Sequence, residues 1–310
     1  MGHEYRIGVD ENGLGARLGP LIVTGVMARV GPNGSGWWER SLPEDLAPDL
    51  DDSKRLVSHS DVKLAEAWVR ALVASPARSP RELFRQISLE GEQKLTEPCP
   101  THAHSQCWAV GGERFWAPRD MLERVTAHVQ RLRANDLDVC EVKTSVVCVW
   151  RLNQARRKGH SRFSMDLFSM EELILALREA AGADVHAVCG KVGGIGDYSK
   201  YFGPLGERMH VAVERSPERS VYRFPGLGEL CFVRDVDAAD PLVMLASLVG
   251  KYVRELLMAR IGRHYAASWE EGVLPSGYHD PRTARFVSAT QAVRRQRRVP
   301  DECFERERSR

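Results

Sequence analysis

The sequence predicts an α/β protein in which helices pack on a central sheet. Apolar strands and helical patterns alternate along its 310 residues, which is typical of layered α/β domains. Hydrophobic residues make up 43% of the chain, enough for one large domain with a buried core. Two adjacent acids, Asp10 and Glu11, follow the first apolar strand and precede a glycine-rich turn. This order holds carboxylates at the edge of a sheet and indicates where a functional site lies.

The first two strands are joined by a tight turn. Ile7 and Val9 form a short apolar strand that ends at the acids, and residues 21–30 form the second strand. Glycines at 13, 15 and 19 let the backbone approach another group closely, and a phosphate is one candidate. Carboxylate oxygens suit Mg²⁺ or Mn²⁺. A polar hairpin without a ligand is the alternative explanation of this stretch taken alone.

The later elements follow from the spacing of apolar and β-branched residues. Ser169 and Glu172 form a capping box, which predicts a helix that begins there. Pro241 suits the first turn of a long helix. Helical spacing predicts helices over 60–74, 118–134 and 241–261. Strands are predicted over 138–149 and 184–190, and a turn followed by a strand over 222–237.

Two segments without clear periodicity, 31–50 and 76–120, are predicted as inserted loops. The second insert contains Cys99, His102, His104 and Cys107, whose side chains are ligand types that zinc prefers. Their spacing is tighter than in common zinc modules, so a structural Zn²⁺ and a polar loop are both open. The seven cysteines of the chain are scattered and odd in number, which favours a reducing, cytoplasmic location over a disulfide framework.

The charge pattern limits the kinds of partner. The formal net charge is only +2, so any surface for nucleic acid must be local. No apolar run approaches the ~20 residues that span a bilayer, so no membrane partner is expected. Two basic stretches could follow a phosphate backbone, although solvated surface explains them equally well. They are Arg156, Arg157, Lys158 and Arg162, and the arginine-rich end from Arg294 to Arg310.

Four short motifs occur in an order that is found in one known family. The run DENGLG over residues 10–15, followed by Gly19 and Pro20, resembles the opening of type 2 ribonuclease H, ribonuclease HII. Three further matches follow in family order and extend the resemblance over most of the chain. They are Asp52-Ser53-Lys54, then Asp237 with Ala246-Ser247 and the run 250–255, and finally Gly277-Tyr278 with Thr283.

Two positions depart from the family pattern. The family has an arginine between the two glycines of its first loop, and this chain has Leu14. The family's third acid ends the strand after the central helix, and that position falls on Cys189, or on Gly190 if the alignment slips by one. Neither residue is a carboxylate, so the resemblance implies reduced activity. Asp197 in the following loop is one candidate to replace the lost acid.

The resemblance implies a fold and a domain organisation. The expected fold is a ribonuclease H-like mixed central sheet flanked by helices, with a small helical C-terminal part. Residues 1–262 would form the catalytic domain with its two inserted loops, and residues 263–310 the helical C-terminal segment. A monomer is expected.

The resemblance also implies an activity and its residues. The expected reaction is hydrolysis of the RNA strand in RNA/DNA hybrids, or at single ribonucleotides embedded in DNA, with Mg²⁺ or Mn²⁺ as a pair of ions. Asp10, Glu11 and Asp237 would be the catalytic, metal-binding acids. The alternative is an inactive protein of the same fold that binds nucleic acid or acts as a scaffold. Substrate binding would fall to Gly13, Leu14, Gly15, Ser53, Lys54, Lys251 and Tyr278.

Overall fold

A computed structural model describes residues 4–32, 34, 36–39, 42–101, 105–192, 195–269 and 272–307. Strands and helices alternate along it, as expected. The strands are β1 (Glu4–Asn12), β2 (Leu21–Val30), β3 (Leu137–Val147), β4 (Val185–Gly190), β5 (Val211–Arg215), β6 (Arg219–Phe224) and β7 (Gly228–Val233). The helices are α1 (Gly36–Glu39), α2 (Ser53–Leu56), α3 (Lys63–Leu72), α4 (Pro80–Ile87), α5 (Glu92–Thr96), α6 (Arg119–Ala134), α7 (Val149–Arg157), α8 (Arg162–Ala181), α9 (Pro241–His264), α10 (Pro281–Ala289), α11 (Gln291–Gln296) and α12 (Asp301–Phe304).

The strands form one mixed sheet in the order β3-β2-β1-β4-β7-β6-β5. The central strands β1, β4 and β7 are parallel, whereas the outer neighbours pair antiparallel. The predicted mixed sheet with flanking helices is therefore confirmed. The predicted turn and strand over 222–237 are found as the reversal at Gly226, where φ is 71°, and as β7. Residues 222–224 also end β6, a strand that was not predicted and that forms a hairpin with β7.

Strand β1 continues through the acids instead of ending at them. Residues 10–12 stay in antiparallel register with residues 22–24 of β2, so the backbone pairing extends past the acid pair. Ile7 and Val9 belong to the core under α8, while Gly8 faces the backbone of α9. Because side chains alternate along a strand, Glu11 lies on the α8 side of the sheet and Asp10 on the α9 side.

Helix α9 is the central element of one layer. Asp240 caps it by accepting hydrogen bonds from the backbone N–H groups of Leu242 and Val243, and Pro241 occupies its first turn. The helix lies directly against β1 at Gly8, where a Cβ atom would be 2.3 Å from the backbone carbon of Leu242. This close approach brings the residues of α9 to the end of β1.

Helix α8 covers the other face and begins earlier than predicted. The capping box at Ser169 was wrong, because Ser169 is buried inside the helix and donates its hydroxyl to the carbonyl of Met165. The actual cap is Ser161, whose side chain accepts from the backbone of Ser164. A left-handed residue, Gly182, ends the helix and leads into β4. The start of α8 therefore lies over the carboxyl ends of β4 and β1.

The second insert, 76–120, was predicted as a loop but contains helices α4 and α5, the first of which is capped by Ser79. This insert and the C-terminal segment both pack on the second half of α9. Glu113 of the insert accepts hydrogen bonds from Arg260, which is fully buried, and from Arg263. Phe286 and Phe304 of the C-terminal helices pack on the end of α9. Helix α9 ends at His264, and the domain boundary at 262 stays a prediction. None of the helices in the described part of the chain has the length and apolar character needed to cross a bilayer.

Candidate active site

A cleft of about 450 Å³ lies at the carboxyl end of β1. The residues predicted from the sequence come together here from elements far apart in the chain, except for Cys189. The cleft is lined by Asp10, Glu11, Asn12, Gly13, Leu14, Gly15, Ser53, Lys54, Gly190, Lys191, Val192, Asp235, Val236, Asp237, Ser247, Lys251 and Tyr278. A larger cleft of about 790 Å³ lies on the insert, but its Glu92 is already paired with Arg81 and Arg85.

Asp10 is held in place by polar neighbours on the α9 side of the sheet. Its carboxylate accepts a hydrogen bond from the amide of Asn12 at 3.2 Å and one from the hydroxyl of Ser247. Burial, and then the nearby charge of Glu11, raise the pKa of Asp10 to about 8. Burial also raises the pKa of Glu11. The negative charge of Glu11 therefore opposes ionisation of Asp10.

Asp237 and Lys54 line the same cleft and are paired with each other. Lys54 Nζ donates to Asp237 Oδ2 at 3.0 Å, and this hydrogen bond raises the pKa of the lysine. Helix α2 carries Lys54 and is capped by Asp52, which accepts from the backbone N–H of Lys54. The hydroxyls of Ser53 and Ser247 are hydrogen-bonded at 2.8 Å, which ties α2 to α9. The short helix thus places one cation among three carboxylates.

The glycine loop after β1 is supported from below by two buried arginines. Gly13 has φ of +88°, and a Cβ there would lie 2.6 Å from Arg254. Arg254 also packs 4.6 Å from the ring centre of Tyr278, which fixes that ring at the edge of the cleft. Arg306 donates to the carbonyls of Gly13 and Gly19 at 2.6 and 2.9 Å. The loop geometry therefore depends on the C-terminal segment.

Several of the basic residues proposed to follow a phosphate backbone have partners within the protein. Arg294 and Arg306 are buried, and Arg294 packs on the Phe304 ring. Arg157 pairs with Glu302 and Glu307, and these pairs join α7 to the C-terminal end. Arg308 and Arg310 lie outside the described residues. Arg157, Arg294 and Arg306 therefore have partners within the protein, which the local sequence alone did not show.

Replacing Arg306 by methionine is expected to lower the free energy of unfolding by about 2 kcal/mol, because two buried carbonyls lose their donor. Arg295→Met, a change at an exposed arginine of the same segment, serves as the matched control. Denaturant unfolding of the two variants measures the difference. Equal stability of both variants would show that Arg306 does not hold the glycine loop.

The third-acid position of the family is not filled by a carboxylate. Cys189 is fully buried beneath the cleft, and burial raises the pKa of its thiol well above the usual range. Gly190 lines the cleft without a side chain. Asp197 is engaged elsewhere, because it accepts from the hydroxyls of Ser199 and Tyr222. The strand after α8 therefore brings no acid to the site.

One acid near the site was not predicted from the sequence. Asp166 is 1% exposed and lies in α8, within a stretch that was not assigned to the predicted helix. Its spacing to Met170, Leu173 and Leu177 is that of one helix face. A helix start at Ser161, had it been recognised, would have placed Asp166 on the sheet-facing side.

Two other groups of side chains carry atoms that can bind a metal ion. His186, Glu229 and Cys231 lie within 4.8 Å of one another on β4 and β7. Arg219 contacts the thiol of Cys231, and Arg223 pairs with Glu229 at 3.2 Å, so this group is already neutralised by cations.

For the zinc hypothesis, His102 and His104 lie outside the described residues. Cys99 and Cys107 line a small cavity of about 40 Å³ together with Cys148 and Cys303. Sulfur is a donor that zinc prefers, and a structural Zn²⁺ on the insert stays a prediction.

The residues of the main cleft fit a divalent cation. Asp10, Glu11 and Asp237 offer hard carboxylate oxygens, the donors that Mg²⁺ and Mn²⁺ prefer. The raised pKa values of Asp10 and Glu11 show that burial and repulsion disfavour their charged forms. A cation between them would relieve this repulsion.

No family model and no curated protein matches the sequence. Solved structures do match it. A mutant protein of Bst-RNase HIII is 15% identical with a TM-score of 0.50, over 98% of this chain and 67% of that chain. RNase HII from Archaeoglobus fulgidus, solved with PCNA, is 18% identical with a TM-score of 0.47, over 98% and 95%. Bst-RNase HIII in complex with Mn²⁺ is 14% identical with a TM-score of 0.47, over 98% and 66%. Over nearly its whole length, the chain has the type 2 ribonuclease H fold.

Proposed function

We propose that this protein is a divalent-metal-dependent endonuclease that cuts the RNA strand of RNA/DNA hybrids, or DNA at an embedded ribonucleotide. One observation supports this above the others. Asp10, Glu11 and Asp237 reach a single cleft that also contains a glycine loop, Lys54 and Tyr278. Such a cleft combines acids for metal ions with groups that suit a phosphodiester and its sugar.

The three acids would hold Mg²⁺ or Mn²⁺, which when bound supplies an activated water and stabilises the charge that develops on the phosphate. The remaining chemistry belongs to the side chains of the protein. Ser247 and Asn12 orient Asp10 by hydrogen bonds. Lys54 is 78% exposed at its side chain and can turn from Asp237 toward a phosphate oxygen.

Recognition of a ribonucleotide requires contact with its 2′-hydroxyl, which DNA lacks. The backbone of residues 13–15 lies beside the acids and can approach a sugar closely, since Gly13 and Gly15 have no side chain. Tyr278 is 38% exposed and also lines the cleft, with its ring held by Arg254. A sugar that enters between the loop and the ring would meet both.

A second candidate function is binding of hybrids without cleavage. It is favoured by the cysteine at the third-acid position, since Cys189 offers a buried neutral thiol instead of a carboxylate. In this case the protein would retain the cleft as a docking surface for nucleic acid.

The test is cleavage of three labelled duplexes: an RNA/DNA hybrid, a DNA duplex with one ribonucleotide and an all-DNA duplex. We expect cleavage of one or both ribonucleotide-containing duplexes with Mg²⁺ or Mn²⁺, none with EDTA, and none of the all-DNA duplex. Hybrid binding without any cleavage would replace the proposal by the binding function. Equal cleavage of all three duplexes would indicate a nuclease that does not read the 2′-hydroxyl.

A further inference from the structure

Asp166 is a buried acid without a partner. The residue is 1% exposed, and neither of its carboxylate oxygens has a hydrogen-bond partner within the described part of the chain. An unpaired carboxylate in the protein interior is costly, because neither water nor a donor compensates its charge. By contrast, the similarly buried Glu171 on the same helix accepts from the backbone of Gly203 and Leu205. Asp166 therefore lacks the compensation that its neighbour has.

The connection between α8 and β4 places Asp166 over the cleft end of the sheet. Asp166, Met170, Leu173 and Leu177 lie on one face of α8, and this face packs on the sheet. The tight turn at Gly182 makes α8 run antiparallel to β4. Asp166, in the second turn of the helix, must then lie near the strand ends and not near their beginnings.

The same side of the sheet carries Glu11 and Cys189. Val9 and Cys189 are register partners in the parallel pair β1–β4, and both belong to the core under α8. Glu11 follows Val9 on that side. After burial, the charges of Glu11 and Asp10 are the largest influences that raise the pKa of Asp166. The charge of Asp166 in turn acts on the thiol of Cys189. The helix acid thus faces the position where the strand lacks one.

We propose that Asp166 supplies, from α8, the third metal-binding carboxylate that is absent from Cys189 on β4. This assignment rests on the proposed function of the cleft. It explains why a buried carboxylate is kept without a partner in the protein, since a divalent cation shared with Glu11 would compensate its charge. It also explains how a site with a neutral thiol at the strand end can hold metal.

The experiment measures Mn²⁺ binding directly, by calorimetric titration of the full chain. We expect Asp166→Asn to weaken Mn²⁺ binding at least about tenfold, because it removes a ligand charge and keeps the shape of the side chain. Glu179→Gln, a change at an exposed acid of the same helix, is the matched control and should bind as the wild type does. Melting in EDTA should show no loss of stability in Asp166→Asn, since Asp166 has no hydrogen bond within the described part of the chain to lose.

A rescue variant tests the position of the acid. The double variant Asp166→Asn, Cys189→Asp returns a carboxylate to the strand on the same side of the sheet, and we expect it to regain Mn²⁺ affinity. If Asp166→Asn does not fold, Asp166→Leu provides the measurement, because an apolar residue of similar size suits a buried site.

The outcomes separate this assignment from the proposed function. Mn²⁺ binding that is equal in Asp166→Asn and wild type, or absent from the wild type, overturns the assignment. Loss of binding in Asp166→Asn with recovery in the double variant supports it. If the wild type binds Mn²⁺ through Asp166 but cuts no ribonucleotide-containing duplex, the assignment stands and the nuclease function fails.

Discussion

Replacing Asp10 by asparagine is expected to abolish cleavage of ribonucleotide-containing duplexes, with a loss of at least about 100-fold. Changes to residues that only support a metal ligand cost about 10–100-fold, so loss of a direct ligand should cost at least as much. Asparagine can still accept from Ser247, so the position keeps its shape and loses its charge. Initial rates with Mg²⁺ and with Mn²⁺ measure the effect.

In EDTA, the free energy of unfolding of Asp10→Asn should depend less on pH than that of the wild type. The pKa of Asp10 is raised from 3.8 to about 8 in the folded protein, so its charged form is disfavoured by folding. An acid whose pKa is raised by folding contributes stability below its unfolded pKa. This stability is lost as the pH rises through the folded pKa. In EDTA, the wild type should therefore lose stability between pH 4 and 8, and Asp10→Asn should lose less.

Asp61→Asn is the control for both measurements, because Asp61 is exposed and lies outside the cleft. Cleavage by Asp10→Asn at the wild-type rate would show that the N-terminal acid is not a metal ligand. A large fall in its stability would show that Asp10 has a structural role instead.

Replacing Gly8 by alanine is expected to lower the free energy of unfolding by about 3 kcal/mol or more. The added Cβ would lie 2.3 Å from the backbone carbon of Leu242 and 2.4 Å from the backbone nitrogen of Val243. These atoms belong to the start of α9 and cannot move as a flexible side chain would, so the helix must shift away from β1. Denaturant unfolding measures the loss.

The shift of α9 should also affect the cleft. Ser247 of α9 is hydrogen-bonded to Asp10 of β1, so a change in the distance between helix and strand disturbs the acid. We therefore expect Gly8→Ala to lower cleavage under conditions where the variant is still folded. Gly111→Ala is the control, since a Cβ there meets nothing within 4 Å. Equal stability of the two variants would contradict the close packing of α9 on β1.

Much of the fold was accessible from local patterns. The second strand was predicted at 21–30 and the structure confirms it as β2. The long helix was predicted at 241–261 and is found as α9 at Pro241–His264. These elements have continuous apolar patterns and clear boundary residues, such as the proline at the start of α9. Local propensity and burial agree in them, and the pattern suffices.

The predictions that were wrong concern places where the local sequence pattern and the tertiary packing favour different structures. Ser169 and Glu172 match a capping box, but tertiary packing extends α8 back to Arg162, with Ser161 as its cap. The polar residues in that first part of the helix hid its apolar face. The arginine-rich end likewise matched an open basic segment, although Arg306 is buried beneath the glycine loop. A charged residue in a sequence does not show whether it will find a buried partner.

The sequence by itself determined the α/β layers, the acid pair on the first strand and the order of the motifs that form the cleft. These properties depend on residues close together in the chain, where spacing and turn chemistry act directly. Only the tertiary structure decided that Asp166 lies over the strand ends on the side of Glu11. That position depends on how α8 packs and on the turn that joins it to β4, and no local spacing encodes the distance between a helix and a strand.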